Sequence, residues 1–446
     1  YQESIYKWED VEETTGNDVP KAQWNAHYTA IATANEALAA LDKLEANDAN
    51  NALRAEALLC RAYSMFQLAH LFCMSWNPEK ADEYYGLPYP KEAGITVEER
   101  GTLRKLFENI NADIEAALPM LKDDYLKVPK YHFNAKAAYA FAARFNLYYL
   151  NDDKAIEYAS KVVGSNPDKQ LRQMANYSSL AGRDDVCNAY MRDDANVMIT
   201  TAYSLLGRAP YWPNTTRYAH NNNLVTYETF RAKMPWGSGG TNNVLYEAKI
   251  LYGNSQTVYY PKMLEQFEVT DKVNQTGSPH IVNVVFTVDE TLLVRAEAYA
   301  RKGNFDASLA DINTWLRVHC RESSGTATRP VMDETSLNSF MDALPEVPAV
   351  IKTTKDRGIK KPLHPQGFTV EPGTMTNLIY MILQMRRIET WLQGTRFLDI
   401  KRYGIEFSHA LDGESPLAFK AGDLRGAIQI PAEVITAGIA PNPREN

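Results

Sequence analysis

The sequence predicts a mainly α-helical protein, a scaffold of helical hairpins with large loop-rich insertions and a few short strands. Three observations carry this prediction. Apolar residues recur at spacings of three and four over several long segments before residue 167, and again around residue 300. The stretch between, 168–288, is instead rich in Asn, Gly, Ser, Tyr and Trp. A second irregular, Pro-rich stretch covers 321–376 before helical spacing returns.

Taken in order, residues 23–44 place Trp24, Tyr28, Ile31, Asn35, Leu38 and Leu41 on one helical face. Residues 52–72 repeat the pattern through Leu53, Ala57, Cys60, Ser64, Leu68 and Leu71. A third helix is expected over 103–121, with Leu103, Leu106, Phe107, Ile110, Ile114 and Leu118 turned inward. A fourth, rich in Ala and aromatics, covers 134–150, and a fifth covers 153–163. The run from Ala155 to Pro167 reads like the second helix of a tetratricopeptide repeat, closed by its Pro. Residues 296–313 read like the turn of such a repeat with both its helices: Gly303 supplies the tight turn and Phe305 wedges between the helices. Four helical hairpins result, three within 23–167 and one over 291–318, and they are expected to pack in one lobe. In 168–288, β-rich pieces at 196–200, 244–251 and 281–288 are expected to form strands. The expected organisation is thus one domain over 1–446: N-terminal hairpins (23–167), a loop-rich insertion forming the ligand face (168–288), a further hairpin (289–320), an irregular insertion (321–376), and a C-terminal helix and tail (377–446).

Composition narrows the function. The chain of 446 residues is long enough to bury a large core, and length alone would allow two or three domains. Its net charge of −8 and pI of about 5.6, with no long basic run, argue against nucleic acid, whose binding rests on Lys and Arg neutralising phosphates. No run approaches the roughly 18 consecutive apolar residues of a membrane span. H-E-x-x-H, P-loop and G-x-S-x-G motifs are absent. The Gly-rich 237–240 lacks the strand, helix and Lys that would make it a phosphate cradle. The eight His are scattered without metal-ligand spacing, and the four Cys (Cys60, Cys73, Cys187, Cys320) have no C-x-x-C spacing. Acids are plentiful, but nothing singles out a catalytic pair. The chain is therefore read as a binding protein, not an enzyme, with no cofactor or metal.

The densest signal lies near the C-terminus, in Met385-Arg386-Arg387-Ile388-Glu389-Thr390-Trp391-Leu392-Gln393-Gly394-Thr395-Arg396-Phe397-Leu398-Asp399-Ile400-Lys401-Arg402-Tyr403-Gly404. Ile388, Trp391 and Leu392 share a helical face, Gly394 stops or bends the helix, and two acid–base pairs are spaced three apart, Arg386 with Glu389 and Arg396 with Asp399. Charges so interleaved with apolar residues imply ion pairs tucked against a core. Glu389, Arg396, Asp399 and Arg402 are expected to be structural, paired, at least half buried and remote from any ligand.

This segment resembles the signature of the SusD/RagB family through Arg386, Arg387, Glu389, Gly394, Arg396, Asp399, Arg402 and Gly404. Trp24, Tyr28, Ile31 and Asn35 resemble the family's first helix, Leu53-Arg54-Ala55-Glu56-Ala57 with Arg61-Ala62-Tyr63 its second, and Ile430-Pro431 with Asn442-Pro443 and Asn446 its close. The resemblance implies a helical repeat scaffold carrying a loop-rich binding face. It also implies a surface lipoprotein of the outer membrane that captures oligosaccharides for a partner TonB-dependent, SusC-like transporter. Such proteins begin at a lipid-anchored Cys. Here Tyr1 is first and no Cys precedes Cys60, so that anchor is expected outside this sequence.

The binding residues are expected among aromatics in loops. Trp76-Asn77 follows the second helix, Tyr84 and Tyr85 lie in the same loop, and Tyr211, Trp212, Tyr218, Tyr227 and Trp236 lie in the long insertion. Flat rings pack on the C–H faces of sugars while Asn, Asp and Arg meet the hydroxyls. Such rings also pack cores, so the expectation is that at least one of the group is exposed, with Trp76 ranked first. Trp24, Trp315 and Trp391 lie on apolar helical faces and are expected in the core. Three other readings remain at this point: a peptide binder of the RagB kind, a helical-repeat scaffold that binds only protein, and an enzyme hidden in the insertion.

Overall fold

The computed structural model describes residues 1–94, 99–207, 220–248, 251–252, 258–259 and 262–444. These fall into two units, Tyr1–Asn151 with Leu363–Thr369 and Phe397–Asn446, and Asp152–Pro362 with Val370–Arg396. The division lies between Asn151 and Asp152, inside the third expected hairpin, just after Leu150 takes a left-handed φ of 65°.

The first unit is built on the helices Pro20–Leu41 and Asp48–Phe72, which pack on one another. Pro20 opens the first, where its missing N–H costs no hydrogen bond. Asn47 caps the second by accepting from the Asn50 N–H at 2.9 Å. The helices Leu103–Ala117 and Ala135–Tyr148 follow, capped by Thr102 and Asn134. Their rings meet in one cluster in which Phe66 lies 6.3 Å from Phe107, 5.8 Å from Phe141 and 5.5 Å from Phe145. Beside it lies a buried polar network. Arg61 donates two bonds of 2.7 Å to the Asp113 carboxylate and a third of 2.8 Å to Asn35 Oδ1, and the Tyr89 hydroxyl donates to Asp113 at 2.6 Å. Burial and the Asp113 charge raise the Tyr89 phenol well above its ordinary value, so it stays a donor.

In the second unit the helix Asp152–Val163 turns Ala155, Tyr158, Ala159 and Val162 onto the helix Val288–Arg301. The helix Phe305–His319 folds back on the latter through a turn in which Gly303 has φ 74°, so the repeat-like hairpin around residue 303 is present. Ion pairs lock these helices: Arg295 holds Asp311 with bonds of 2.9 and 2.7 Å, and Arg301 meets Asp152 at 2.6 Å. The helix Thr374–Glu389 packs on the same pair. A three-stranded antiparallel sheet has Thr276–Thr287 in its centre, flanked by Asn196–Tyr203 and Gln266–Asp271.

The strands expected near 196–200 and 281–288 are therefore present and longer. The described part of 244–251 makes an isolated bridge, Leu245 to Cys320, and ends on Leu251, which opens the short strand Leu251–Tyr252. The strand Gln266–Asp271 and the helices Arg183–Arg192 and Glu334–Asp342 escape the sequence reading, because each is short and framed by polar residues. The fold is nonetheless mainly helical with a few short strands, as expected. No helix among the described residues is long and apolar enough to cross a membrane.

None of the four Cys is in a disulfide. Burial pushes the Cys60 thiol up to about 12 and the Cys73 thiol to about 11, and it raises Cys320 as well.

Asp113→Ala should strand the Arg61 guanidinium in the first unit's core and lower stability by about 3–5 kcal/mol. Urea unfolding followed by circular dichroism checks this, and an unchanged midpoint would contradict the role given to the pair.

Candidate functional site

The C-terminal signature supplies struts, one of them to a partner far along the chain. Arg386 meets Glu297 at 2.5 Å, both fully buried. Asp399 meets Arg402 at 3.0 Å, and the Arg402 guanidinium lies 4.6 Å from the Tyr148 ring centre. Glu389, Asp399 and Arg402 are buried and paired as expected, and Arg396 is half-buried. The helix ends at Glu389, five residues before Gly394. The Asp399–Arg402 pair is local, at i,i+3 within one helix, whereas Arg386–Glu297 joins two helices packed side by side.

Glu389 belongs to a buried charge cluster. His319 Nε2 lies 3.1 Å from its carboxylate and 3.2 Å from that of Asp289, a contact shared between the two acids. Lys262 donates to the Glu389 backbone carbonyl at 2.5 Å. The Arg172 main-chain N–H meets Asp289 at 3.1 Å, its Nη2 donates to Asn196 Oδ1 at 2.6 Å, and its guanidinium lies 3.8 Å from the Tyr190 ring centre. Burial alone would lower His319, but the two carboxylates raise it to about 9. Burial alone would raise Glu389, but His319, Lys262 and Arg172 hold it at about 2. Asp289, His319 and Glu389 have donor atoms within 4.8 Å of one another, close enough for a metal ion. The neighbourhood does not suit one: a dication there would face Lys262 and Arg172, whose charges already balance the acids. Nothing in the sequence marked Arg172 or Lys262, which reach the cluster from the loop-rich insertion.

The expected ligand-binding aromatics are divided by burial. Trp76, ranked first, is 6% exposed, and its ring lies 4.7 Å from Tyr149 and 5.2 Å from Phe107. Arg104 covers its outer side at 5.6 Å while bonding Asp82 and the Pro78 carbonyl. The chain leaves the helix at Phe72 and folds back over the ring cluster, so this Trp seals a core instead of offering a face. Asn77 is buried too: its side-chain oxygen accepts from the Glu79 N–H at 3.0 Å and packs on Gly367, where a Cβ would come within 2.4 Å of it. Trp236 is fully buried at 5.7 Å from Trp315. Tyr211, Trp212 and Tyr218 lie outside the described residues. Trp24 and Trp315 are buried as expected, while Trp391 is half-buried.

Tyr84 is half-buried, and Tyr85 is 45% exposed. The Tyr85 ring rests 4.9 Å from the guanidinium of buried Arg100, which is fixed by bonds to Gly86, Ala440 and Asn442. Tyr227 is 38% exposed and lines a cavity of about 440 Å³ in the second unit. That volume is in the range of small-ligand sites. Both irregular insertions build the cavity: Tyr227, Arg231 and Lys233 come from one, and Leu344, Val347 and Lys360 from the other. Its base is anchored by Glu228, whose carboxylate meets Arg357 at 2.7 Å and signature residue Arg387 at 3.3 Å. Gln384 of the same helix donates to the Glu228 and Thr229 carbonyls. The arrangement is an aromatic face with apolar walls and a rim of hydroxyl and basic side chains, suited to binding a hydroxyl-rich molecule.

Residues 129–429 match the profile described as the SusD family, and residues 1–147 match one described as starch-binding, associating with the outer membrane. A SusD superfamily protein from Bacteroides thetaiotaomicron superposes with a TM-score of 0.60 at 18% identity, over 99% of this chain and 95% of that one. A putative sugar binding protein from Bacteroides vulgatus superposes with a TM-score of 0.64 at 15% identity, over 99% and 88%. A laminarin binding SusD-like protein gives 0.54 at 15% identity, over 95% and 86%. No curated protein matches the sequence. The family profile spans more than half of the chain, and the chain belongs to the SusD family.

Two outcomes follow from the charge cluster. Glu389→Ala should cost about 3–5 kcal/mol of stability, read from urea unfolding. His319, raised in the folded state, contributes stability that is fully present below its unfolded value near 6.5 and is lost as pH rises towards about 9. Lys262 and Lys401, lowered by burial to about 8, add the opposite slope above that pH. Between about pH 6.5 and 8, stability should therefore fall by up to about 1.4 kcal/mol per pH unit. His319→Gln should flatten that slope, and an equally steep variant would remove His319 as its source.

Proposed function

We propose that this SusD-family protein is a surface lipoprotein of the outer membrane that captures oligosaccharides for import through a partner TonB-dependent, SusC-like transporter. The observation that carries the reading is the cavity at Tyr227. An exposed ring over apolar walls suits the C–H face of a sugar, and Lys233, Ser238 and Thr226 at the same cavity suit its hydroxyls. The names of two similar structures, a putative sugar binding protein and a laminarin binding one, support the same class of ligand. Of the residues expected in loops, Tyr85 and Tyr84 stay as candidate contacts in the first unit, with Tyr85 the more exposed.

The charges support the binding reading. The buried carboxylates of Glu389 and Asp289 are matched by His319, Lys262 and Arg172, so neither is a free acid or base.

The test is a glycan screen on the purified chain, followed by calorimetry on the best neutral oligosaccharide. Tyr227→Ala should weaken binding about tenfold, since one aromatic anchor contributes on the order of 1–3 kcal/mol. Its thermal stability should stay within about 0.5 kcal/mol of the parent, as for other exposed positions. Trp76→Ala should instead destabilise the fold. A parent that binds peptides and no glycan would move the assignment to peptide capture.

A further inference from the structure

The second unit carries another concavity, a broad open groove of about 870 Å³ that shares no lining residue with the Tyr227 cavity. Its charged lining is Lys169, Arg317, Arg321 and Arg329 against Asp168 and Glu322, four cations to two carboxylates. That excess runs against a chain whose net charge is −8.

The arginines are not equivalent. Arg317 holds Asp168 with Nη2 at 2.9 and 3.2 Å from the two carboxylate oxygens. Arg329 donates to the carbonyls of Arg317 and Cys320 at 3.2 and 3.1 Å. Arg321 has neither kind of partner among the described residues. Its guanidinium lies 5.0 Å from the Tyr246 ring centre, and its Nε is shielded from solvent with no acceptor. Glu247, the acid that feels its charge, is already gripped by Arg231 at 3.1 Å. A partly buried guanidinium without an acid is unfavourable in isolation, and its planar fork matches a carboxylate or sulfate with two parallel bonds.

We propose that this groove binds the anionic group of an acidic oligosaccharide, a uronate carboxylate or a sulfate ester, with Arg321 on its Tyr246 platform making the direct contact. The proposal rests on the carbohydrate reading above and adds a charge class to it. Arg317 and Arg329, fixed by their own bonds, contribute field, and Arg321 contributes the contact.

The test is calorimetry at low salt with three probes: an oligogalacturonate for carboxylate, a carrageenan oligosaccharide for sulfate, and a neutral galacto-oligosaccharide as control. A poly-glutamate peptide serves as the non-sugar anion. At least one acidic sugar should bind more tightly than the neutral control and lose affinity as salt is added. Arg321→Gln should weaken it at least tenfold, and Arg321→Lys by less. Neither variant removes an ion pair, so both should fold, with circular dichroism as the check. Tyr246→Leu provides a second variant that loses the platform and keeps the Arg.

Acidic sugars that bind no better than the neutral control, or equally well to Arg321→Gln, would overturn the proposal. So would poly-glutamate binding through Arg321 without any acidic sugar doing so. Neutral-glycan binding that depends on Tyr227 would survive those results, so failure here is separable from failure of the carbohydrate reading.

Discussion

The second unit depends on not leaving a charge unmatched in its interior. Arg386 and Glu297 are both fully buried, so the helix Thr374–Glu389 can pack on Val288–Arg301 in only one register. One turn further along, Glu389 meets His319 and so fixes the same helix against Phe305–His319. Sliding any of the three helices by a residue would leave a guanidinium or carboxylate alone in an apolar setting. The loops inherit this order. Glu228 takes Arg387 from the fixed helix and Arg357 from the Pro-rich insertion, and Tyr227 is its neighbour in sequence. The cavity wall is therefore placed by the same helix that carries the buried pairs.

How much of this was legible depends on range. The helices Pro20–Leu41, Asp48–Phe72, Leu103–Ala117 and Ala135–Tyr148 were readable because Leu, Ile and aromatic residues recur at helical spacing. The sheet was partly readable, since two of its strands carry β-branched runs while Gln266–Asp271 is exposed along most of its length. The charged C-terminal segment announced its burial but not the remote partner of Arg386. Spacing reports neighbours within one helix, whereas Glu297 is 89 residues from Arg386. The division between Asn151 and Asp152 was hidden for the same reason, because adjacent helices usually pair and here each packs with remote segments.

The site was less legible than the scaffold. An aromatic in a loop is chemically the same residue whether it caps a core or faces solvent, and only the path of the chain decides. Trp76 lies beside Phe107 and Tyr149, which a linear sequence cannot announce. Tyr85 stays exposed because the residue beneath it is Arg100, whose own bonds fill the space a core would use. Arg172, Lys262 and Arg321 gave no local signal, since each acquires its meaning from charges far along the chain.

The four unbonded cysteines bear on how such a chain matures. With the Cys60 and Cys73 thiols pushed up to about 12 and 11, almost none of either is thiolate at neutral pH, and thiolate is the form that exchanges with disulfides. Cys187 donates to the Met263 carbonyl at 3.3 Å and is sealed from solvent. In the folded chain these thiols are therefore slow to exchange with disulfides. The vulnerable interval precedes folding, when all four thiols return to ordinary reactivity. In an oxidising compartment, the rate at which the helices bury their cysteines thus competes directly with wrong pairing.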